Sequence, residues 1–285
     1  EYSARHGLTR AQTYWAYTTN ATLASANGQP DDRLCWQFRQ EYPATVREAF
    51  QASREGSFIP AEQVAKARRW LAEDQSHAPL VFGCDFATGG GATDDATSEN
   101  EGGDQNAFID RQGRRMGGKL YEAFRDRDTV SVANRLCRHI DRLHPQMCFL
   151  DTGGGGAGVY DIAVKRGYGK MLTLVNFGSR PSDPRKYHNK RAEMWGECRD
   201  WLADIGGAQI PDDDALEGDL TSTKEKASYS RIIRLEPKDH IRKRLGFSPD
   251  RGDAAALTFA EPVAAPPPAH ARPQGFIVAD KNAGY

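Results

Sequence analysis

Four aspartates in this sequence stand where a chain delivers side chains to a site. Asp85 ends the apolar run Leu80-Val81-Phe82-Gly83-Cys84, and Asp151 ends Met147-Cys148-Phe149-Leu150. Glycines follow each, Gly89 to Gly91 in the first case and Gly153 to Gly156 in the second. That order reads as a buried strand carrying a carboxylate to its tip before a turn. Asp250 and Asp253 follow Ser248-Pro249, with Ser248 placed to cap a helix and Pro249 to open it, so both carboxylates face one way from the first turns. The helix dipole alone favours acids there. Gly252 and Ala254-Ala255-Ala256, however, give this helix a face small enough to approach a sheet closely. If it meets the strand tips, three or more carboxylates gather and raise one another's pKa, a preference that a divalent cation reverses. Oxygen ligands of this kind suit Mg2+ or Mn2+.

The glycines after Asp151 allow a second chemistry. Gly153, Gly155 and Gly158 satisfy G-x-G-x-x-G after a strand, the mark of a dinucleotide site. Such a site expects a ribose-binding acid about 20 residues on, where the sequence has Val175-Asn176-Phe177, so the fingerprint is incomplete. Gly113 to Lys119 approximates a phosphate-binding loop, but Leu120 replaces the Ser or Thr that would hold magnesium, and the segment lies within a strand pair. An ATP site there is rejected. Cys137, His139, His144 and Cys148 come nearest to a zinc set, yet they fall on a helix and the next strand without a C-x-x-C pair. Cysteine in such places is ordinarily a small buried hydrophobe.

The elements that must position the aspartates are legible in outline. Residues 1–77 read as helical, with turns at Asn27-Gly28-Gln29-Pro30 and Tyr42-Pro43, a Thr45/Glu48 capping box before Ala49 and Phe50, and a helix from Pro60 to about Glu73. This segment reads as a connector. From Ala78 to about residue 262 the texture is α/β: a strand ending at Asp85, a Gly/Asp/Ser-rich loop over 92–103, and strands at about 105–110 and 116–124 flanking a turn at Gly113. Next come a helix at about 129–143, the Asp151 strand, a helix at about 157–166 and a strand at 171–175. Met194, Trp195, Cys198, Trp201, Leu202 and Ile205 mark the core face of a helix starting near Tyr187. Residues 208–236 read as irregular with two strands, the second at Arg231 to Leu235. The last helix begins at Ser248-Pro249, and a proline-rich tail occupies 263–285.

Charge is balanced, 38 Lys and Arg against 39 Asp and Glu, so no global basicity marks a nucleic-acid partner and only local groups could. Three such groups occur: Arg111, Arg114, Arg115 and Lys119; Arg180, Arg185, Lys186, Lys190 and Arg191; Lys238, Arg242, Lys243, Arg244 and Arg251. Each alone is an ordinary solvated face. Together, flanking acidic tips, they would make a phosphate-attracting rim. The five scattered cysteines argue against a disulfide framework and fit a reducing cytoplasm. No apolar run approaches membrane-spanning length, which predicts no membrane partner. The chain opens at Glu1-Tyr2 without a methionine and reads as a piece of a longer one.

Val81-Phe-Gly-Cys-Asp85-Phe-Ala, Phe149-Leu-Asp151-Thr-Gly-Gly-Gly-Gly-Ala-Gly, Val175-Asn-Phe-Gly178, Asn189-Lys-Arg-Ala-Glu-Met-Trp195, Glu236-Pro-Lys238 and Ser248-Pro-Asp250-Arg-Gly-Asp253-Ala occur in this order. Together they resemble the nuclease domain of tailed-bacteriophage terminase large subunits. Gln40-Glu41-Tyr42-Pro43 with Glu48-Ala49-Phe50 resembles the segment leaving that family's ATPase domain, and the likeness runs from about Asp32 to Glu261. It implies an RNase H-like fold, a mixed five-stranded sheet flanked by helices with a helical N-terminal connector. It also implies a metal-dependent endonuclease that cuts double-stranded concatemeric viral DNA during packaging in the host cytoplasm. By position Asp85, Asp151 and Asp250 match the acidic triad, and Asp253 matches a further helix carboxylate. Asp104 resembles an accessory acid, although the 92–103 loop sets it farther from Asp85 than the family pattern has it. The family's ATPase domain is missing here, and portal and small terminase subunit are the further partners the resemblance implies.

The expected chemistry is two-metal phosphodiester hydrolysis with Mg2+ or Mn2+ ions roughly 4 Å apart. Asp85, Asp151, Asp250, Asp253 and Asp104 are the candidate ligands, and Arg114, Arg115, Arg185, Lys186, Lys190, Lys238 and Arg251 the candidate DNA contacts. Lys238 is read as steadying a carboxylate or touching phosphate. The rival readings are a junction resolvase or transposase-type nuclease, a dinucleotide-binding oxidoreductase, and a packaging scaffold whose acids serve structure only.

Overall fold

The computed structural model describes residues 7–26, 38, 42, 57–87, 105–226 and 231–265. The expected turn at Asn27 to Pro30, the Thr45/Glu48 capping box, the 92–103 loop, Asp104 and the tail from Pro266 lie outside the described residues.

Period-two alternation organises everything around the site. Strands β1 (Leu80–Asp85), β2 (Asn106–Gln112), β3 (Arg115–Phe124), β4 (Met147–Asp151) and β5 (Leu172–Val175) form one mixed sheet in the order β3-β2-β1-β4-β5. β1, β4 and β5 run parallel, while β2 is antiparallel to both of its neighbours. Leu80, Phe82 and Cys84 of β1 and Cys148 and Leu150 of β4 enter one core cluster, whereas Val81 and Phe149 enter the other. Successive side chains of a strand point to opposite faces, so Asp85 and Asp151 lie on the Val81 and Phe149 face. This is the expected α/β arrangement of five strands between helices.

Helices fill the two faces unequally. α3 (Thr129–Leu143) and α4 (Gly156–Lys165) supply Val132, Leu136, Ile140, Val159 and Ala163 to the face carrying Leu80 and Phe82. Asp128 caps α3 by accepting from Val130 N at 2.9 Å. A cap contributes about 1 kcal/mol, less than the roughly 1.5–3 kcal/mol from each buried aliphatic chain, so packing holds this helix. α5 (Lys190–Ala203), α6 (Asp214–Ser222) and α8 (Asp250–Leu257) cover the other face with Met194, Trp195, Leu216, Leu220 and Ala254 to Leu257. α2 (Ala61–Arg69) adds Val64 and Ala67 to that same core. Its Arg68, half-buried, joins an ion cluster with Glu217, Asp212 and Asp214 around α6. α1 (Arg10–Ala26) and α7 (Lys238–Leu245) complete the described helices, and none of these is long and apolar enough to cross a membrane.

Four local expectations are corrected. The helix expected from Tyr187 starts at Lys190, because the Asn189 side chain accepts from Ala192 N at 3.0 Å, and it ends before Ile205, which is 98% exposed. The segment expected to be irregular contains α6, whose N-cap Asp213 accepts from Leu216 N at 2.7 Å. The expected strand at Arg231 to Leu235 is reduced to isolated bridges of Ile233 with Tyr187 and Leu235 with Glu225. The Pro60 helix stops at Arg69, short of Glu73.

On edge strand β3, Glu122 receives Arg135 through two hydrogen bonds of 2.9 Å and lies 2.9 Å from His139 Nε2. Burial pushes the Glu122 carboxyl up, but Arg135 and His139 outweigh it and hold the group below the usual glutamate range. A depressed carboxylate contributes stability that is present above its unfolded pKa, about 4.3, and is lost as pH falls through the lower folded value. Glu122→Gln is therefore expected to unfold more readily at pH 7 and to lose less stability than the native chain between pH 5 and 3, as urea titrations at stepped pH would reveal.

Candidate metal centre at the strand tips

Parallel pairing of Cys84 with Leu150 sets Asp85 beside Asp151 at the carboxyl ends of adjacent strands, which are about 4.8 Å apart. In open α/β sheets, ligands bind beyond those strand ends. Across them runs the first turn of α8, packed against β1 and β2. Asp85 and Asp253 are fully buried, and Asp250 and Asp151 are 6% and 8% exposed. The helix expected from sequence is in place, but its cap is different. Pro249, not Ser248, is the N-cap residue, and it offers no side-chain acceptor. The buried carboxylate of Asp219 on α6 replaces it, accepting from Arg251 N at 2.9 Å and Gly252 N at 3.4 Å.

Asp219 is thus a site residue that the sequence reading missed. Replacing it by alanine strands two backbone donors at the start of the helix that carries Asp250. A loss of about 2 kcal/mol is expected, read as a lowered urea midpoint with an unchanged m-value.

Lys238, at the start of α7, points its ammonium among the acids. Its Nζ lies 3.0 Å from Asp85 Oδ2 and 3.2 Å from Asp85 Oδ1, 3.0 Å from Asp253 Oδ2 and 3.8 Å from Asp250 Oδ1. Gln105 N donates to Asp250 Oδ2 at 2.8 Å. Asp253 Oδ1 accepts from Arg191 Nε at 2.9 Å and from Trp195 Nε1 at 2.7 Å.

These contacts divide the carboxylates electrically. Burial pushes Asp85 well above the usual range, and although Lys238 opposes this, Asp250, Asp253 and Asp151 add to it. Asp151 is also raised, chiefly by burial, with Lys238 and the Gly153 N–H working against the rise. Asp253 is the exception: burial raises it, but Arg191 and Lys238 outweigh burial and leave it below the usual range. For Lys238, burial opposes the charge, while Asp253, Asp85 and Asp250 keep the ammonium protonated well above its ordinary pKa.

Four carboxylates, Asp85, Asp151, Asp250 and Asp253, thus face two cations, Lys238 and Arg191. The surplus is negative and the donors are all hard oxygens, which fits Mg2+ or Mn2+. Among the described residues no three such side chains close around one point tightly enough to hold an ion as they stand. The Lys238 ammonium stands among three of them, Asp85, Asp253 and Asp250. The glycines that suggested a dinucleotide site serve the turn beside Asp151. Gly154 has φ +57°, a side chain on it would meet the Phe86 and Ala87 carbonyls, and a Cβ on Gly153 would stand 2.7 Å from Asp151 Oδ2.

The basic rim is only partly assembled. Arg114 and Arg115 sit at the β2–β3 turn, opposite the Leu80 end of β1 and five residues along that strand from Asp85, roughly 17 Å away. Arg114 donates to Trp201 O at 2.7 Å and to Gly207 O, and Arg115 donates to Ala72 O at 2.9 Å. Arg111, in the same group, is bonded to Thr258 and stacked on Phe259. These three arginines fasten the sheet to the segments packed on it. Arg191 is buried at the site's base, not on a rim. Lys190 pairs with Glu193 at 2.7 Å, Lys186 with Asp200 at 3.1 Å, and the exposed Arg185 with Asp183 at 3.5 Å. Arg251, next to Asp250, donates to Gln105 Oε1 at 3.0 Å.

No family model matches the sequence, and no curated protein does. Solved structures do match in fold. The nuclease domain of the large terminase subunit gp2 of bacterial virus Sf6 aligns with a TM-score of 0.57 at 16% identity, over 73% of this chain and all of that one. A lysine-to-alanine variant of gp2 from the same virus with calcium aligns with a TM-score of 0.57 at 17% identity, over 72% of this chain and all of that one. A manganese-containing variant of that domain gives 0.56 at 16% identity, again over 72% of this chain and all of that one. The chain has the RNase H-like fold of large terminase nuclease domains, as the sequence resemblance implied.

Proposed function

We propose that this chain is the nuclease part of a terminase large subunit, a metal-dependent endonuclease that cuts double-stranded concatemeric viral DNA during genome packaging in the host cytoplasm. The observation that carries the reading is the pair Asp85 and Asp151, side by side at parallel strand ends beneath the helix start that brings Asp250. Residues 1–77 are then the connector from an ATPase domain, 78–262 the nuclease domain and 263–285 a tail. The partners are DNA, that ATPase domain, the portal and the small terminase subunit.

Asp85, Asp151 and Asp250 would hold the metal. Two Mg2+ or Mn2+ ions, when bound, supply an activated water and offset charge at the scissile phosphate. The protein's own part is to hold acceptor oxygens in a fixed, buried array. Both Asp85 oxygens face Lys238 at 3.0 and 3.2 Å, so movement of that one flexible side chain opens the pair. The displaced ammonium is then placed to meet a phosphate oxygen. Lys186, Lys190 and Arg185 lie on or just before α5, whose first turn reaches the site through Arg191, and Arg251 adjoins Asp250. Backbone contacts by these cations would make DNA binding fall steeply with salt.

Supercoiled plasmid incubated with the protein and Mn2+ or Mg2+ tests this. Nicking and linearisation are expected with metal, and neither with chelator or in Asp151→Asn. Intact plasmid across metals and salt, or equal nicking by the variant, would refute the site.

A further inference from the structure

We propose that Arg68 is a positioning residue of the metal centre: from α2 it holds α6 in the place from which Asp219 fixes the first turn of α8, the turn that carries Asp250 and Asp253. The inference rests on the metal-dependent reading above and adds a support to it.

α6 lies between α2 and α8 and packs against both. Its two sides carry different carboxylates. Glu217 meets Arg68 of α2, while Asp219 Oδ2 accepts from Arg251 N at 2.9 Å and Gly252 N at 3.4 Å on α8. Side chains two residues apart on a helix point roughly 200° apart, so one short helix serves both neighbours. Arg68 commits its whole guanidinium to the start of α6. Nε and Nη2 donate to Asp212 Oδ1 at 2.9 and 2.6 Å, Nη2 donates to Asp214 Oδ1 at 2.9 Å, and Nη1 donates to Glu217 Oε2. Only a planar fork reaches three acids at once; a lysine ammonium cannot. The same segment grips the far end of α6. Phe58 N donates to Thr223 O at 2.8 Å, Ser57 Oγ donates to Thr221 O at 2.7 Å, and Ser57 pairs with Lys224. Phe58 and Ile59 are buried in the core that α6 and α8 share.

α8 has no slack to absorb a shift of α6. A Cβ on Gly252 would stand 3.2 Å from Asp219 Cβ and 3.0 Å from Trp195 Cη2, and Ala254 to Leu257 are fully buried. Close-packed interiors transmit strain. Without the fork, Asp212, Asp214 and Glu217 repel one another around the first turn of α6. The helix then moves, and Asp219 takes the start of α8 with it. Arg68 meets α6 on the side away from α8, so it acts on the acids only through this helix. Residues that orient ligands from behind commonly change metal affinity or activity 10- to 100-fold.

The test is calorimetric titration of Mn2+ into metal-stripped protein, paired with kcat and KM on double-stranded DNA and with the urea midpoint. Asp85→Asn is the reference for a lost ligand and is expected to weaken Mn2+ binding at least about tenfold. Asp219→Ala and Arg68→Gln are each expected to weaken Mn2+ and lower kcat by about tenfold, with KM for DNA kept within about threefold. Arg68→Lys, which keeps the charge without the fork, should recover part of the loss. The double variant should bind Mn2+ no more weakly than the poorer single one, because both changes break the same link. Should Arg68→Gln fail to fold, Arg68→Lys carries the test, with Mn2+ affinity expected about threefold below native. Native Mn2+ affinity and kcat in the folded Arg68 variant, with only the urea midpoint lowered, overturn the proposal while leaving the metal centre standing. Fully multiplied losses in the double variant do the same. Undiminished Mn2+ affinity in Asp85→Asn overturns the metal centre and this inference with it.

Discussion

Asp85→Asn is expected to abolish cleavage yet unfold at the same or a higher temperature than the native chain. A bound metal contributes several kcal/mol to the transition state, and each 1.36 kcal/mol is tenfold in rate, so a loss on the order of 10³-fold is expected. The stability effect has the opposite sign. Burial and three neighbouring carboxylates raise the folded pKa of Asp85 well above its unfolded value. A carboxyl shifted in that direction weakens the fold once pH exceeds the unfolded pKa, and the native chain recovers that stability as pH falls through the folded pKa toward the unfolded one. Asn carries no charge, so its advantage should be largest at pH 7 and above and shrink toward acid. Mn2+ should reverse the ranking, because an ion that binds only the folded native chain stabilises it by mass action. Thermal unfolding of both proteins at pH 5 and 8, with and without Mn2+, measures all of this. A marked destabilisation of Asp85→Asn in metal-free buffer at pH 8 would mean that the acid serves the fold.

Gly83→Ala carries the largest expected structural cost. Gly83 lies two residues before Asp85, on the same face of β1, where α8 crosses. A Cβ there would stand 2.0 Å from the Ala254 carbonyl oxygen, 3.0 Å from Thr258 Cγ2 and 3.1 Å from the Ala254 carbonyl carbon. Two of these atoms are backbone, so no side-chain rotation relieves the clash and the helix must lift from the sheet. Overpacking of a tight core costs roughly 1–3 kcal/mol and occasionally more. The upper end is expected here, since Ala254, Ala255 and Ala256 are already fully buried. Lifting α8 also carries Asp250 away from Asp85, so residual folded protein should lose metal affinity along with its urea midpoint. Native-like stability in Gly83→Ala would contradict the close packing that brings the acids together.

The sequence revealed the parts of this arrangement governed by short-range rules. Buried runs ending in Asp85 and Asp151 mark strand tips because a strand covered on both faces shows no polar alternation. The small residues from Gly252 to Ala256 foretold the close approach of α8. The hairpin turn at Gly113 and α3 lie where turn chemistry and 3.6-residue spacing put them. What stayed hidden depends on long-range partners. Asp219 lies on a nine-residue helix interrupted by Gly218, too short to display a periodic face, and its cap bonds reach another helix. Arg191 looked like one cation in a basic group, and its burial could not be inferred before Asp253 and Trp195 were known to meet it. The partners of Arg114 and Arg115 were hidden in the same way: they include carbonyls of residues 72, 201 and 207, and nothing in the local sequence announces them.

The account stands most directly on one comparison: cleavage of supercoiled plasmid by metal-stripped native protein and by Asp85→Asn, each before and after adding back Mn2+. Conversion to nicked and linear DNA is predicted only for the native protein and only with metal restored. Equal cleavage by the two proteins, or none by the native protein at any Mn2+ and salt concentration, would contradict a nuclease centre built on these strand-tip acids.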